Sequence, residues 1–243
     1  MANERSQAFD AMADAYDRYR PQYPEELFDD IEELAELEPG AKAIEIGAGT
    51  GIATGPLISR GLQVVAIEPA PAMSALARDK FGDKARFVDG RFEDWPESDE
   101  VELIASFNAW HWVEPETGRS LASRLLPPGG SLALVWTEVL SWGESDFEAR
   151  LAGVTGSPWP KRLDLVPASL QPIRSDRRFS DFTVRRHRFE RRLDAESFVA
   201  VTRTYGGHHT VERDWLIRQL IEVEFGGAVT KVEDAVLYLA RRR

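Results

Sequence analysis

Between Ile44 and Gly51 the chain reads Ile-Glu-Ile-Gly-Ala-Gly-Thr-Gly, an apolar run that breaks into three glycines two residues apart. Glycines at Gly47, Gly49 and Gly51 allow a sharp turn and let a ligand approach main-chain amides at a helix N-terminus. Such a turn at the carboxyl end of a strand suits a nucleotide-like ligand. Glu68 follows Gly47 by 21 residues, at the end of the next apolar run, where a carboxylate can accept two ribose O–H bonds. The dinucleotide fingerprint G-x-G-x-x-G is not met, because position 52 is Ile52, which counts against a nicotinamide dehydrogenase.

Other chemistries are bounded by what is scarce. There is no cysteine, so thiolate nucleophiles, iron–sulfur clusters and cysteine-ligated zinc are excluded. The four histidines, His111, His187, His208 and His209, form no H-E-x-x-H pair, and no metal is expected. The net charge of −11 sits almost entirely in the first hundred residues, and an acidic chain is a poor nucleic-acid binder at physiological salt. No apolar run approaches the ~18 residues that would span a bilayer. A cytoplasmic protein, monomeric or homodimeric, is expected.

The elements that must hold these residues follow from periodicity. Phe9, Met12, Ala13, Tyr16 and Tyr19 recur at helical spacing and predict an N-terminal helix that Pro21 and Pro24 interrupt. A second helix starts near Glu25 and ends at Pro39 and Gly40. Strands are predicted at 43–46, 62–67, 86–88, 101–107 and 131–136, with helices at 71–81 and 117–126 between them. Strands alternating with helices specify an α/β fold, a doubly wound and mostly parallel sheet covered on both faces. Beyond it, 141–175 reads as an inserted cap or loop, 182–189 and 235–240 as strands, and 195–204 and 213–224 as helices. No linker divides the chain, so 1–243 is taken as one domain with 1–24 as an N-terminal lid.

With these elements in place the sequence resembles class I S-adenosylmethionine-dependent methyltransferases. Glu45, Gly47, Gly49 and Gly51 match that family's first motif, and Glu68 its ribose-binding acid. Gly90, Phe92, Glu93 and Pro96 match a third-strand segment whose backbone contacts the adenine; Arg91 stands where many relatives carry aspartate. Tyr16, Arg20, Pro21, Tyr23 and Pro24 resemble the Y-x-x-x-R-P-x-Y-P entry of small-molecule methyltransferases similar to trans-aconitate methyltransferase. The segment Asn108 to Trp112 resembles the A-x-H-W stretch of the same group.

The resemblance implies a Rossmann-like seven-stranded fold and in-line transfer of a methyl group from S-adenosyl-L-methionine, leaving S-adenosyl-L-homocysteine. The implied acceptor is a small molecule, methylated at a carboxylate or hydroxyl oxygen. The implied cofactor residues are Tyr16, Arg20, Glu45, Gly47, Ala48, Gly49, Gly51, Glu68, Pro69, Met73, Gly90, Arg91, Phe92 and Asn108. Arg20 would pair with the methionine carboxylate or with an acidic substrate. His111 and Tyr16 are the catalytic candidates; alternatively His111 is a packed histidine between two tryptophans. Trp110, His111 and Trp142 are assigned to the acceptor, the rival for Trp142 being local packing.

Residues 174–192 hold eight arginines and His187 against three acids. They read either as an edge strand protected by charge or as a nucleic-acid patch. The rivals to a small-molecule enzyme are thus a methyltransferase acting on RNA or protein and a cofactor-binding regulatory module without turnover.

Overall fold

The computed structural model describes residues 10–96, 100–156, 165–205 and 209–243, and within it the side chains of 165–169 are left aside. Phe9 and His208, named above, lie outside the described residues. Seven strands form one sheet in the order β3-β2-β1-β4-β5-β7-β6. They are β1 (Lys42–Ile46), β2 (Gln63–Glu68), β3 (Arg86–Asp89), β4 (Leu103–Phe107), β5 (Ser131–Trp142), β6 (Phe179–Asp194) and β7 (Ala228–Arg242). The first five are parallel, β7 runs antiparallel beside β5, and β6 antiparallel beside β7. The predicted doubly wound sheet is therefore mixed at one edge.

Side-chain alternation along the parallel strands builds two core layers. On one face lie Ala43, Val64, Leu103, Ala105 and Val135, packed against Leu27, Phe28 and Ile31 of α2 (Glu25–Leu34) and Leu57 of α3 (Thr54–Ser59). The other face carries Ile44, Ile46, Ile67, Ile104 and Leu134, against Leu121, Ala122 and Leu125 of α5 (Pro115–Leu125). Parallel strands buried on both faces read as continuous apolar runs, and each buried Ile or Leu side chain is worth about 1.5–3 kcal/mol. α4 (Pro71–Phe81) connects β2 to β3. The N-terminal helix is α1 (Ala13–Tyr19), shorter than the periodicity predicts.

The C-terminal third departs from expectation. The stretch 141–175 contains α6 (Phe147–Thr155) and α7 (Leu165–Arg174), so it is not a plain loop. β6 and β7 are far longer than the predicted 182–189 and 235–240. Their alternation is masked by charge: β6 carries arginine at 185, 186, 188, 191 and 192. The upper halves of β5 and β7, with α6, α8 (Ala195–Arg203) and α9 (Val211–Gln219), enclose a third core around Trp142, Phe147, Phe198 and Ile221. No helix among the described residues is long and apolar enough to cross a membrane.

Candidate functional site

Strand order reverses between β1 and β4, and ligands in open α/β sheets bind at such a switch point. There, at the carboxyl ends of β1, β2 and β4, lies a cavity of about 360 Å³. Its floor is made by Ile46 and Phe107, the last residues of β1 and β4, by Ile67, the penultimate residue of β2, and by the loops that follow.

The first loop is folded onto β2: Gly47 N–H and Ala48 N–H both donate to the Ile67 carbonyl, at 2.9 and 3.1 Å. Gly47 has φ +68°, and a Cβ there would run into the Ala109 methyl, so only glycine fits. At Gly49 an added Cβ would come to 3.9 Å from Tyr16 Cε1, so the Tyr16 ring of α1 covers the loop and forms part of the cavity wall.

Glu68 is the polar centre of the site. It is 8% exposed, and its two carboxylate oxygens accept the Gly49 and Ala70 amides, each at 2.8 Å. The glycine-loop amide thus holds the acid rather than pointing at a ligand. Each oxygen retains a second lone pair, and the carboxylate lies on the cavity wall. Burial pushes the Glu68 pKa up, and the two amide bonds oppose the shift.

The remaining walls come from the other loops. Pro69 and Met73 follow Glu68, and Gly90, Arg91 and Phe92 follow β3. Arg91 donates to Glu93 at 2.6 Å, so its guanidinium is fixed along its own loop. Asn108 sits at φ +55° at the end of β4. Its side chain donates to the Tyr23 hydroxyl at 2.8 Å and accepts the Thr137 amide at 3.0 Å. Burial of Tyr23 raises its phenol well above the usual value. α1 is clamped over this assembly by Asp10, which accepts the Ala72 amide at 2.8 Å, and by an Asp17–Lys80 ion pair.

Several residues named from the sequence stand away from the cavity. Glu45 is 1% exposed and accepts the Thr54 hydroxyl at 2.5 Å, under the loop; burial pushes its pKa up to about 8. Ala48 and Gly51 shape the turn without lining the cavity, Gly51 facing the Phe81 ring. Arg20 is directed to the C-terminus of α8, donating to Thr204 Oγ1 and the Thr204 carbonyl at 2.8 and 2.7 Å. Trp110 is buried against Phe92, with ring centroids 6.4 Å apart, whereas Trp112, 46% exposed, lines the cavity. The 3₁₀ turn Trp110–Trp112 reverses the roles that the motif suggests for its tryptophans. The His111 ring lies tilted against that of Trp112, centroids 4.5 Å apart, and does not itself line the cavity. Trp142 belongs to the third core, packed on Phe147 and Phe198 at 4.8 and 5.4 Å.

Sequence reasoning missed several lining residues, among them Ile46, Ile67, Phe107 and Trp112. Ile46 and Phe107 were findable, because the last residue of a parallel strand lies at the switch-point crevice, and Ile67 directly precedes the predicted acid Glu68. Among the described residues no three histidine or acidic side chains are grouped to hold a metal ion.

Comparison with known proteins agrees with this geometry. Residues 44–134 match the methyltransferase domain family. An uncharacterized methyltransferase of Mycobacterium tuberculosis is 35% identical over 166 residues, 67% of this chain and 65% of that protein. The chain therefore spans slightly under two thirds of that relative. An uncharacterized methyltransferase of a Geobacillus species is 33% identical over 147 residues, 56% of this chain and 69% of its own length. A structure assigned as a type II methyltransferase from Anaeromyxobacter dehalogenans superposes with a TM-score of 0.65 at 20% identity, covering 92% of this chain and 98% of that one. With the glycine loop, the pinned acid and the seven-stranded order all in place, the chain belongs to the class I S-adenosylmethionine-dependent methyltransferase family.

Proposed function

We propose that this chain transfers a methyl group from S-adenosyl-L-methionine to an oxygen of a small-molecule acceptor. The observation that carries the reading is Glu68, its carboxylate fixed by the Gly49 and Ala70 amides on the wall of a cavity sized for a nucleoside. Glu68 would take the ribose hydroxyls, with the apolar side chains of Met73, Ile67 and Phe92 beside the base. The cofactor supplies an electrophilic methyl on a sulfonium. The chain's part is to hold the acceptor in line with that methyl, which accounts for most of the rate such a site can supply. Tyr16 and Trp112 line the cavity wall and would orient the acceptor, and His111, whose ring lies 4.5 Å from that of Trp112, would fix the indole.

The small-molecule assignment draws support from the basic strand. The guanidinium groups of Arg186 and Arg188 lie 3.0 and 3.2 Å from the Glu138 and Asp234 carboxylates, which leaves less charge for an RNA backbone. A carboxylate acceptor is favoured by the Tyr16–Pro24 motif, which resembles that of the trans-aconitate methyltransferase group.

Calorimetric titration with S-adenosyl-L-homocysteine, with NADH as the control, tests the cofactor half. Micromolar binding to the former alone is expected, and silence with both sinks the reading. Labelled methyl transfer to small-molecule acids against bulk RNA tests the acceptor half. Incorporation into RNA alone would replace the small molecule with a macromolecular acceptor. Tight cofactor binding with no transfer to any pool would mark a regulatory module.

A further inference from the structure

Asn108 lines the cavity just beyond β4 in a backbone conformation that few side chains adopt, φ +55°. Such a conformation persists only where its surroundings over-determine it. Here the carboxamide is tied on both sides. Its Nδ2 donates to the Tyr23 hydroxyl at 2.8 Å and to Thr137 Oγ1 at 3.2 Å, and its Oδ1 accepts the Thr137 amide at 3.0 Å. The Asn108 N–H is spent as well, on the Val135 carbonyl at 2.8 Å.

The two anchors come from distant parts of the chain. Thr137 belongs to β5, the strand paired with β4. Tyr23 follows the end of α1, and its ring is wedged against Phe107 and Phe28, with centroids 5.2 and 6.3 Å away. Apolar packing therefore fixes where the phenol oxygen stands, and the oxygen fixes the carboxamide. What the turn decides in its own right is the path of the next residue. The Ala109 methyl lies so close to Gly47 that a Cβ there would collide with it. The loops after β1 and β4 are thus interlocked, and the turn at Asn108 sets how closely they meet.

The sheet order β3-β2-β1-β4 lays the cavity out in sequence. With the ribose at Glu68 after β2 and the base beside Phe92 after β3, the amino-acid tail of the cofactor falls to the β1–β4 end, where Gly47, Phe107, Asn108 and Ala109 line the wall. We propose that Tyr23 is a positioning residue for that tail: with Thr137 it locks the Asn108 turn and, through Ala109, the wall at Gly47. Tyr23 itself does not line the cavity, so it acts only through Asn108. The inference rests on the placement of the nucleoside at Glu68 and adds a task for the second tyrosine of the Tyr16–Pro24 motif.

Tyr23→Phe removes one hydroxyl and no charge, since burial keeps the phenol protonated. Wild-type, Tyr23→Phe, Thr137→Val, Asn108→Gly and Tyr23→Phe/Asn108→Gly proteins would be titrated calorimetrically with S-adenosyl-L-homocysteine and with 5′-methylthioadenosine, which lacks the amino-acid tail. Tyr23→Phe and Thr137→Val should each weaken S-adenosyl-L-homocysteine by about fivefold and 5′-methylthioadenosine by less than about twofold. Once Asn108→Gly has removed the carboxamide, adding Tyr23→Phe should change neither affinity. A purely structural role would lower the melting temperature and move both nucleosides alike. Equal losses for the two, or no loss while wild type binds both, overturn the positioning role and leave the cofactor placement standing. An undiminished loss in the Asn108→Gly background also overturns it, because Tyr23 would then act elsewhere. Failure of wild type to bind either nucleoside removes the placement together with the proposal. Should Tyr23→Phe not fold, as seen in its melting curve, Thr137→Val carries the comparison from the opposite anchor.

Discussion

At the scale of single residues two glutamates face opposite demands. Glu68 is held as an acceptor by two amides and must remain accessible to a ligand. Glu68→Gln replaces one oxygen by an NH₂ that faces an amide donor, so it should weaken S-adenosyl-L-homocysteine binding by about 1–3 kcal/mol. Calorimetry reads this directly, and unchanged affinity would remove Glu68 from the ribose. Glu45 is the structural counterpart, sealed under the loop with Thr54 as its partner. Its pKa in the fold, pushed up to about 8 by burial, lies above the ordinary carboxylate value, so the native state keeps a proton that the unfolded chain gives up. That contribution is fully present at pH values below the ordinary carboxylate pKa and is lost as pH rises towards about 8. The slope approaches about 1.4 kcal/mol per pH unit across that window. Glu45→Gln, which cannot ionise, should flatten the fall of stability between pH 5 and 8 in urea melts of the ligand-free protein. A parallel slope in the variant would mean that Glu45 is charged in the fold.

At the scale of elements, legibility followed periodicity. The parallel half was readable because strands buried on both faces are continuous apolar runs, and Gly47, Glu68 and Gly90 lie where those runs end. β6 and β7 were under-read because their outer faces carry arginines and acids that pair across strands, so apolar runs fall short of the true lengths. The site was legible where backbone geometry demanded a residue type, as at Gly47, and illegible where a turn chose between equivalent side chains, as at Trp110 and Trp112. Nothing local marks the contact of Arg20 with the Tyr205 ring, 4.1 Å away, since it arises only through the packing of α1 beside α8. Trp142 is the test of that element-level packing. Its indole lies against Phe147 and Phe198 in the third core, away from the cavity. Trp142→Ala should therefore cost about 3–5 kcal/mol of stability by leaving a void, with S-adenosyl-L-homocysteine affinity unchanged once folded protein is counted. A variant with native stability and altered acceptor preference would return Trp142 to the substrate.

At the scale of the whole molecule, the charge pattern is a tension between an acidic body and one basic strand. β6 forms the sheet edge, where unpaired backbone groups invite association, and positive side chains on such an edge discourage it. The arginines also do inward work: Glu138 and Asp234 on the neighbouring strands are buried, and Arg186 and Arg188 are their partners. Replacing both arginines with serine should lower stability by about 1–3 kcal/mol, because two buried carboxylates lose their hydrogen bonds. Arg186 is half exposed, so solvent screening keeps the loss from being larger. Adding Glu138→Gln and Asp234→Asn to the double variant should restore most of that stability, since the uncompensated charge is then gone. Binding of bulk RNA, followed by filter retention across a salt series, should be weak and the same for all three proteins. A strong, salt-steep retention by the wild type that the arginine variant loses, without any change in melting, would turn the strand into a nucleic-acid surface and the acceptor into RNA.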